Sequence, residues 1–294
     1  MVVEPTTAYI RQIERHYPDL QIETASLNQD GQYNDVLIVN DALVFRFPKV
    51  PPAVETLERE IAILRSLQGH LSLAIPNPTY HHVGTGAVGE AFAGYRMIRG
   101  KPLWRDDLAA VTDADTVARL AAQLSGFLNE LHHIDVQKVI PIELPIEDTR
   151  EEWAALYDRI RAKLFTTMRP DARRQVTRHF EGYLDDPARH AFEPALRHGD
   201  FGASNILYAP DRGAVTGIID FAGTAPGDPA VDFAGLYICY GEAFYAQCAE
   251  SYPAMARALD RVQFYIGTFA LQEALFGIEN GDREAFRSGI ADYV

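Results

Sequence analysis

Leu196-Arg-His-Gly-Asp-Phe-Gly-Ala-Ser-Asn-Ile-Leu207, followed by Gly217-Ile-Ile-Asp-Phe221, decides how the rest of the chain is read. His198-x-Asp200-x4-Asn205 sets an acid and an amide on a tight loop, and Asp220 ends a short apolar run. Asn and Asp offer the hard oxygen ligands that suit Mg²⁺, which keeps few protein ligands and completes its octahedron with water and phosphate oxygens. Asp200, ahead of Asn205, is placed to orient or deprotonate an attacking hydroxyl. A base, a metal pair and a grip on phosphates are what phosphoryl transfer requires. His-x-Asp alone is a common tripeptide. Two linked parts in this order, each after an apolar strand-like run, carry the assignment.

Asp, then Asn, then an Asp before Phe is the order of the kinase signature set. With Gly199 after the histidine, the segment resembles the aminoglycoside phosphotransferase family, part of a kinase-like superfamily that includes macrolide and choline kinases. The resemblance covers nearly the whole chain. It implies an α+β, bilobal protein-kinase-like fold. Residues 1–98 would form a small antiparallel-sheet N-terminal lobe with one key helix, and 99–294 a larger, mainly helical lobe. It also implies Asp200 as the catalytic residue, Mg²⁺ on Asn205 and Asp220, and ATP or GTP as phosphoryl donor.

Composition sets wider bounds. Of 294 residues, 47% are hydrophobic and 11% aromatic, ample for a core and incompatible with wholesale disorder. A net charge of −14 argues against a nucleic-acid backbone as partner. Cys239 and Cys248 lie nine residues apart on one predicted helix and face opposite sides, so an internal bridge is not expected. The first residues lack the basic and apolar regions of a signal peptide, and no apolar run reaches membrane-spanning length. The expectation is a cytoplasmic monomer that meets neither membrane nor nucleic acid.

Taken in order, residues 7–17 read as a helix with Ile10, Ile13 and Tyr17 at helical spacing, closed by Pro18. Ile22–Leu27, Val36–Val39 and Ala42–Phe47 read as strands, with turns at Asn28–Gly31 and Asn40-Asp41. Alternation puts Leu43, Phe45 and Phe47 on one face of the third strand and Val44 and Arg46 on the other. Residues 54–68 form a helix with Val54, Leu57, Ile61 and Leu64 on its buried stripe and Glu60 beside it. The resemblance gives Arg46 the phosphate-binding strand position, where the family usually has Lys, and makes Glu60 its partner. Arg keeps the charge but is bulkier and grips bidentately. The amides near Gly31 and Asn34 would meet phosphates, and the backbone of Met97, Ile98 and Arg99 would form the hinge edge that meets the purine. Gly84-Thr-Gly-Ala-Val-Gly89 spells G-x-G-x-x-G, but an alternating run follows it rather than a helix, so it reads as a hairpin turn.

Beyond residue 100 helices dominate the pattern, over 113–134, 149–167, 171–184, 231–249, 254–279 and 282–292. His132-His133 reads as a helix C-terminal cap, and the resemblance makes Asp232 a structural acceptor for loop amides. From residue 228 onward ten acids face four arginines, a net charge of −6 that suits a cationic acceptor such as an aminoglycoside. Asp228, Tyr237, Glu242 and Glu273 are the candidate acceptor-binding residues. The aminoglycoside 2″-kinases, which this chain otherwise resembles, carry acids where it has Phe221-Ala-Gly-Thr and Leu236-Tyr-Ile-Cys-Tyr-Gly-Glu242. That apolar wall is similar to the macrolide kinases. Macrolide 2′-phosphotransferase is therefore the alternative acceptor reading, ahead of a metabolic small-molecule kinase and a nucleotide-binding pseudokinase.

Overall fold

A computed structural model describes residues 5–29, 31, 33–84 and 87–294. By packing, the chain forms two units, Met1–Leu103 with Ile134–Glu143 and Ser204–Thr224, and Trp104–His133 with Leu144–Ala203 and Ala225–Val294. The division is thus not a single cut near residue 98. The expected motif segment itself is shared, with Asp200 in the second unit and Asn205 and Asp220 in the first.

The first unit opens with α1 (Pro5–His16), followed by β1 (Ala25–Asn28), β2 (Asn34–Val39) and β3 (Leu43–Pro48). Next come α2 (Pro51–Ser66), β4 (Tyr80–His82), β5 (Phe92–Arg96) and the short β6 (Lys101–Pro102). β1 to β5 form one antiparallel sheet in the order β1-β2-β3-β5-β4. Period-2 alternation sends Leu37, Val39, Phe45 and Phe47 to one face, where they pack with Tyr9 and Ile13 of α1 and Phe92. On β3 the face assignment from the sequence holds. The turn at Asn40 and Asp41 takes left-handed backbone at both residues (φ 52° and 48°), the conformation that tight hairpins need and that Asn and Asp tolerate. Elsewhere boundaries move: α2 starts three residues before the expected 54 because Pro51 and Pro52 fit the first helical turn, where no amide donor is required. The predicted hairpin joins β4 to β5, which pair antiparallel. Thr85 and Gly86 of its glycine stretch, like Asp30 and Gln32 of the first loop, lie outside the described residues.

The second unit contains α3 (Arg105–Ala109) and α4 (Ala114–His132); α5 (Val136–Val139) belongs to the first. It continues with α6 (Arg150–Lys163), α7 (Pro170–Leu184) and β7 (Ala195–Arg197). The hairpin of β8 (Ile206–Ala209) and β9 (Ala214–Ile218) joins β6 in the first unit, as β6-β8-β9. β10 (Ala225–Gly227) pairs with β7, and α8 (Ala230–Ser251), α9 (Ala254–Arg257), α10 (Leu259–Asn280) and α11 (Arg283–Ile290) follow. Side-chain caps set several helix starts: Asp113 accepts the Thr116 amide, Thr149 and Glu152 form a capping box, and Asp282 accepts two amides of α11. Aromatic rings fill this core, with Tyr183 stacked on Phe264 at 3.5 Å between centroids and Phe127 on Phe201 at 5.7 Å. The long helix expected over 254–279 is two, α9 and α10. Both cysteines are free, and no helix among the described residues is long and apolar enough to cross a membrane.

One close approach sets the sheet's spacing. A Cβ on Gly94 of β5 would lie 2.5 Å from ring atoms of Phe45, which is fully buried on the neighbouring strand. Gly94→Ala is therefore expected to displace that ring and destabilise the protein by about 1–3 kcal/mol, the usual cost of overpacking. A denaturant titration reading the same midpoint for variant and wild type would contradict this packing.

Candidate active site

In the second unit, β7 delivers the chain into the loop that carries Asp200. The loop is held from beneath by Asp232, on the first turn of α8 and fully buried. Its carboxylate accepts the amides of His198 and Gly199, each at 2.8 Å, and His132 Nε2 donates to it at 3.0 Å. Burial opposes charge on Asp232, but the His132 hydrogen bond, the nearby His198 ring and the Gly199 amide outweigh it and hold the carboxyl below its usual range. The structural role expected for Asp232 is what the geometry displays. Of the two histidines expected to cap the helix, His132 does not. It is buried and oriented toward Asp232, while His133 bonds the Asn129 carbonyl at the helix end.

Asp200 itself is exposed and lines a cavity of about 400 Å³ within this unit. Trp153, Phe201, Val231, Ile238, Cys239 and Phe269 supply much of the apolar wall; Asp148, Arg197, Tyr265 and Gln272 bring polar groups. Arg197 pairs with Asp148 at 2.6 Å and with Glu147 at 2.5 Å. Burial pushes the Asp148 carboxyl up to about 6, against the pull of Arg197. These lining residues were not legible as site residues, because they come from four separate stretches of the chain.

The expected acceptor residues sit elsewhere. Asp228 is fully buried, and its carboxylate accepts Arg261 Nε at 2.6 Å, the Tyr265 hydroxyl at 2.8 Å and the Ala230 amide at 2.9 Å. It has neither access nor spare lone pairs for a ligand, so it ties the start of α8 to α10 instead. Tyr237 meets Tyr245 edge-on at 5.2 Å, and the next two residues line the cavity in its place. Glu242 and Glu273 are exposed and line no part of this cavity; Gln272, one position earlier, does. A slip of one position on a helix turns a side chain by 100°, enough to miss a wall.

The first unit holds a second cavity, of about 280 Å³. Val36, Ile38, Val44 and Arg46 enter from the face of β2 and β3 opposite the α1 core. Tyr95, Met97, Ile98, Leu207, Ile219 and Asp220 complete much of the lining. The facing apolar groups make a slot suited to a flat base. Arg46 is buried and bridges two carboxylates, donating to Glu60 at 2.5 Å and to Asp220 Oδ1 at 2.9 Å. Burial works against its charge, and Glu60 and then Asp220 more than offset this, so its pKa is raised. Asp220 takes left-handed backbone (φ 65°) and keeps its side chain 41% exposed. Such strain on a non-glycine residue costs of order 1 kcal/mol or more and gathers at functional sites. The Ile219 amide donates to the Asn205 carbonyl at 2.9 Å, which brings the Asn205 and Asp220 backbones side by side.

Three expectations for the nucleotide site shift. The Met97 amide donates to the Ala42 carbonyl at 2.8 Å, so that donor is already taken, although Met97 and Ile98 line the slot. The Arg99 side chain donates to the Asp41 carbonyl and lies outside the slot lining. Asn34 opens β2 opposite Pro48 and also lies outside it, because the strand's alternation gives the slot Val36 and Ile38. Lys49 pairs with Asp35 at 3.5 Å, off the strand face that Arg46 occupies.

Mg²⁺ fits the donors present. Asn205 offers an amide oxygen, and Asp220 keeps its second carboxylate oxygen beyond the one bonded to Arg46. Among the described residues no group of three or more His, Cys, Asp or Glu could hold a metal.

The chain is 29% identical to viomycin phosphotransferase of Streptomyces vinaceus over 269 residues, 90% of this chain and 91% of that protein. It is also similar to the solved GDP and kanamycin complex of APH(2")-IIia, at 29% identity and a TM-score of 0.88, over 96% of each chain. The macrolide 2'-phosphotransferase type I shares the fold, with a TM-score of 0.77 at 20% identity over 100% of this chain and 98% of that one. These are kinase-like folds, small antiparallel sheet and larger helical part alike. With the phosphotransferase enzyme family model matching residues 24–265, a span that holds the Arg46–Glu60–Asp220 bridge and the Asp200 loop, the chain belongs to that family.

Proposed function

We propose that the chain is an antibiotic O-phosphotransferase that moves the γ-phosphate of ATP or GTP to a hydroxyl of an aminoglycoside. The observation that carries this reading is the cavity beside Asp200, large enough for a sugar-sized group and holding the carboxylates of Asp148 and Asp200. The similarity to the kanamycin complex supports it. The apolar part of the lining, with Trp153, Ile238 and Phe269, favours a second reading in which a macrolide, with one amine and a broad apolar face, is the acceptor. Similar proteins solved with GDP support testing GTP beside ATP as donor.

In this reading Asp200 accepts the hydrogen bond of the acceptor hydroxyl, orients its oxygen, and takes the proton late, as a loose transition state requires. Mg²⁺ held by Asn205 and Asp220 would neutralise charge on the phosphate oxygens. Arg46, locked by Glu60, presents a fixed guanidinium to the phosphates, and the slot of Val36, Ile38, Leu207 and Ile219 takes the base. Catalysis is then positioning and preorganised charge rather than covalent chemistry.

Three outcomes follow. Asp200→Asn keeps size and exposure but removes the base, so turnover is expected to fall about 10²–10⁴-fold with the melting temperature unchanged. Near-wild-type turnover would sink the assignment. Nucleotide hydrolysis and product mass measured against a panel of aminoglycosides and macrolides should show phosphate added to one class, and no product from either would remove both classes as acceptors. Because burial pushes the Asp148 carboxyl up to about 6, its negative charge forms as pH rises through that value and adds, beside Arg197, to the field that a cationic acceptor meets in the cavity. The acceptor KM should therefore fall from pH 5 to pH 7 in the wild type, and Asp148→Asn should flatten that slope.

A further inference from the structure

Helix α8 is not continuous. Gly241 has φ 83° and ψ 175°, outside the helical region, and the backbone there is one that residues with a Cβ rarely adopt. The break ends the hydrogen-bond ladder, so the carbonyls of the preceding residues lose the amides that would follow them four positions on. Two of these carbonyls are taken by a single side chain. Arg105, the first residue of α3, donates from Nε to the Cys239 carbonyl at 2.8 Å and from Nη2 to the Ile238 carbonyl. A planar guanidinium fork matches two neighbouring carbonyls, and a cation is favoured at the C-terminal end of a helical segment.

The residues so held face the chemistry. Ile238 and Cys239 line the cavity that Asp200 lines. Cys239 Sγ accepts the amide of Ala203, just past the Asp200 loop, at 3.3 Å. One turn earlier, α8 touches the same loop so closely that a Cβ on Gly235 would sit 2.5 Å from the Phe201 carbonyl oxygen. The first half of α8 is therefore seated on the loop at Gly235 and Cys239, and Arg105 grips its broken end.

We propose that Arg105 is a positioning residue for the acceptor: its guanidinium fixes the broken end of α8 so that Ile238 and Cys239 wall the acceptor cavity beside Asp200. The proposal rests on the reading that this cavity receives the acceptor. Arg105 acts through the wall and touches neither reacting atom.

The test compares wild type, Arg105→Lys and Arg105→Ala in two measurements. Steady-state kinetics with the acceptor found by the panel should show acceptor KM raised about tenfold in Arg105→Ala, the size expected for losing a charge-assisted hydrogen bond. Nucleotide KM should be unchanged, and Arg105→Lys, which keeps the charge but not the fork, should recover only part of the loss. Iodoacetamide labelling read by peptide mass spectrometry needs no turnover. With rates corrected to the thiolate fraction from a pH series, since loss of the nearby guanidinium raises the thiol's pKa, Cys239 should label several-fold faster in Arg105→Ala, while the fully buried Cys248 stays as in wild type. Unchanged acceptor KM, a Lys variant equal to wild type, or Cys239 and Cys248 labelling rising together would overturn the proposal, the last by marking general loosening. Absence of any acceptor turnover in the wild type strikes the functional reading alone. The labelling comparison then still decides whether Arg105 holds the wall.

Discussion

The Asp232 carboxylate is the interaction on which the catalytic part of this molecule depends. It is fully buried, yet it accepts two consecutive loop amides and the His132 imidazole, with hydrogen bonds between 2.8 and 3.0 Å. A buried charge without partners would be strongly destabilising, so the three donors and the carboxylate require one another. The consequence is rigidity at one point of the chain. The backbone of His198 and Gly199 cannot drift, and Asp200, the next residue, is presented to solvent from a fixed base. Because His132 closes α4 and Asp232 opens α8, two long helices are registered against the loop by the same atoms.

Arg46 performs the parallel task in the other unit. Its two carboxylate partners come from α2 and from the turn after β9, so one guanidinium ties the sheet, the helix and the Asp220 turn together. A lysine has one compact ammonium in place of this fork. One guanidinium reaching two separate carboxylates through its two terminal nitrogens thus gives a physical reason for arginine at this position. Asp220 keeps one carboxylate oxygen on Arg46, so under the proposed function the cation offered to the phosphates and the carboxylate offered to Mg²⁺ would be coupled through one hydrogen bond.

Charge is distributed less simply than the composition suggests. The acids of the last third do not gather into a wall around Asp200: Asp228 is consumed by Arg261 and Tyr265, Asp232 by the loop, and Glu279 by Arg159 and Lys163. The charge of −6 counted along that segment is largely internal pairing and solvated surface. What faces the cavity is mixed, aromatic and aliphatic groups with Asp148 held by Arg197 and a thiol at Cys239.

The sequence by itself determined the local order of elements and the chemistry of the motif. Alternation placed Phe45 and Arg46 on opposite faces of β3, the Asn40-Asp41 turn was legible from residue type, and the helices expected from 113 and 149 begin one residue later, at Ala114 and Arg150. Asp200, Asn205 and Asp220 stood out by residue type and short spacing, whereas the Arg46–Glu60 pair, which the structure forms, was implied by the family resemblance. Only the tertiary structure decided which groups line the cavities. Trp153, Arg197, Ile238, Cys239 and Phe269 meet through packing of segments far apart in the chain, and helical phase, at 100° per residue, selects Gln272 over Glu273. The break at Gly241 and the grip of Arg105 on it arise the same way, since a carbonyl left open in one helix finds its partner on another, a pairing that no local pattern records.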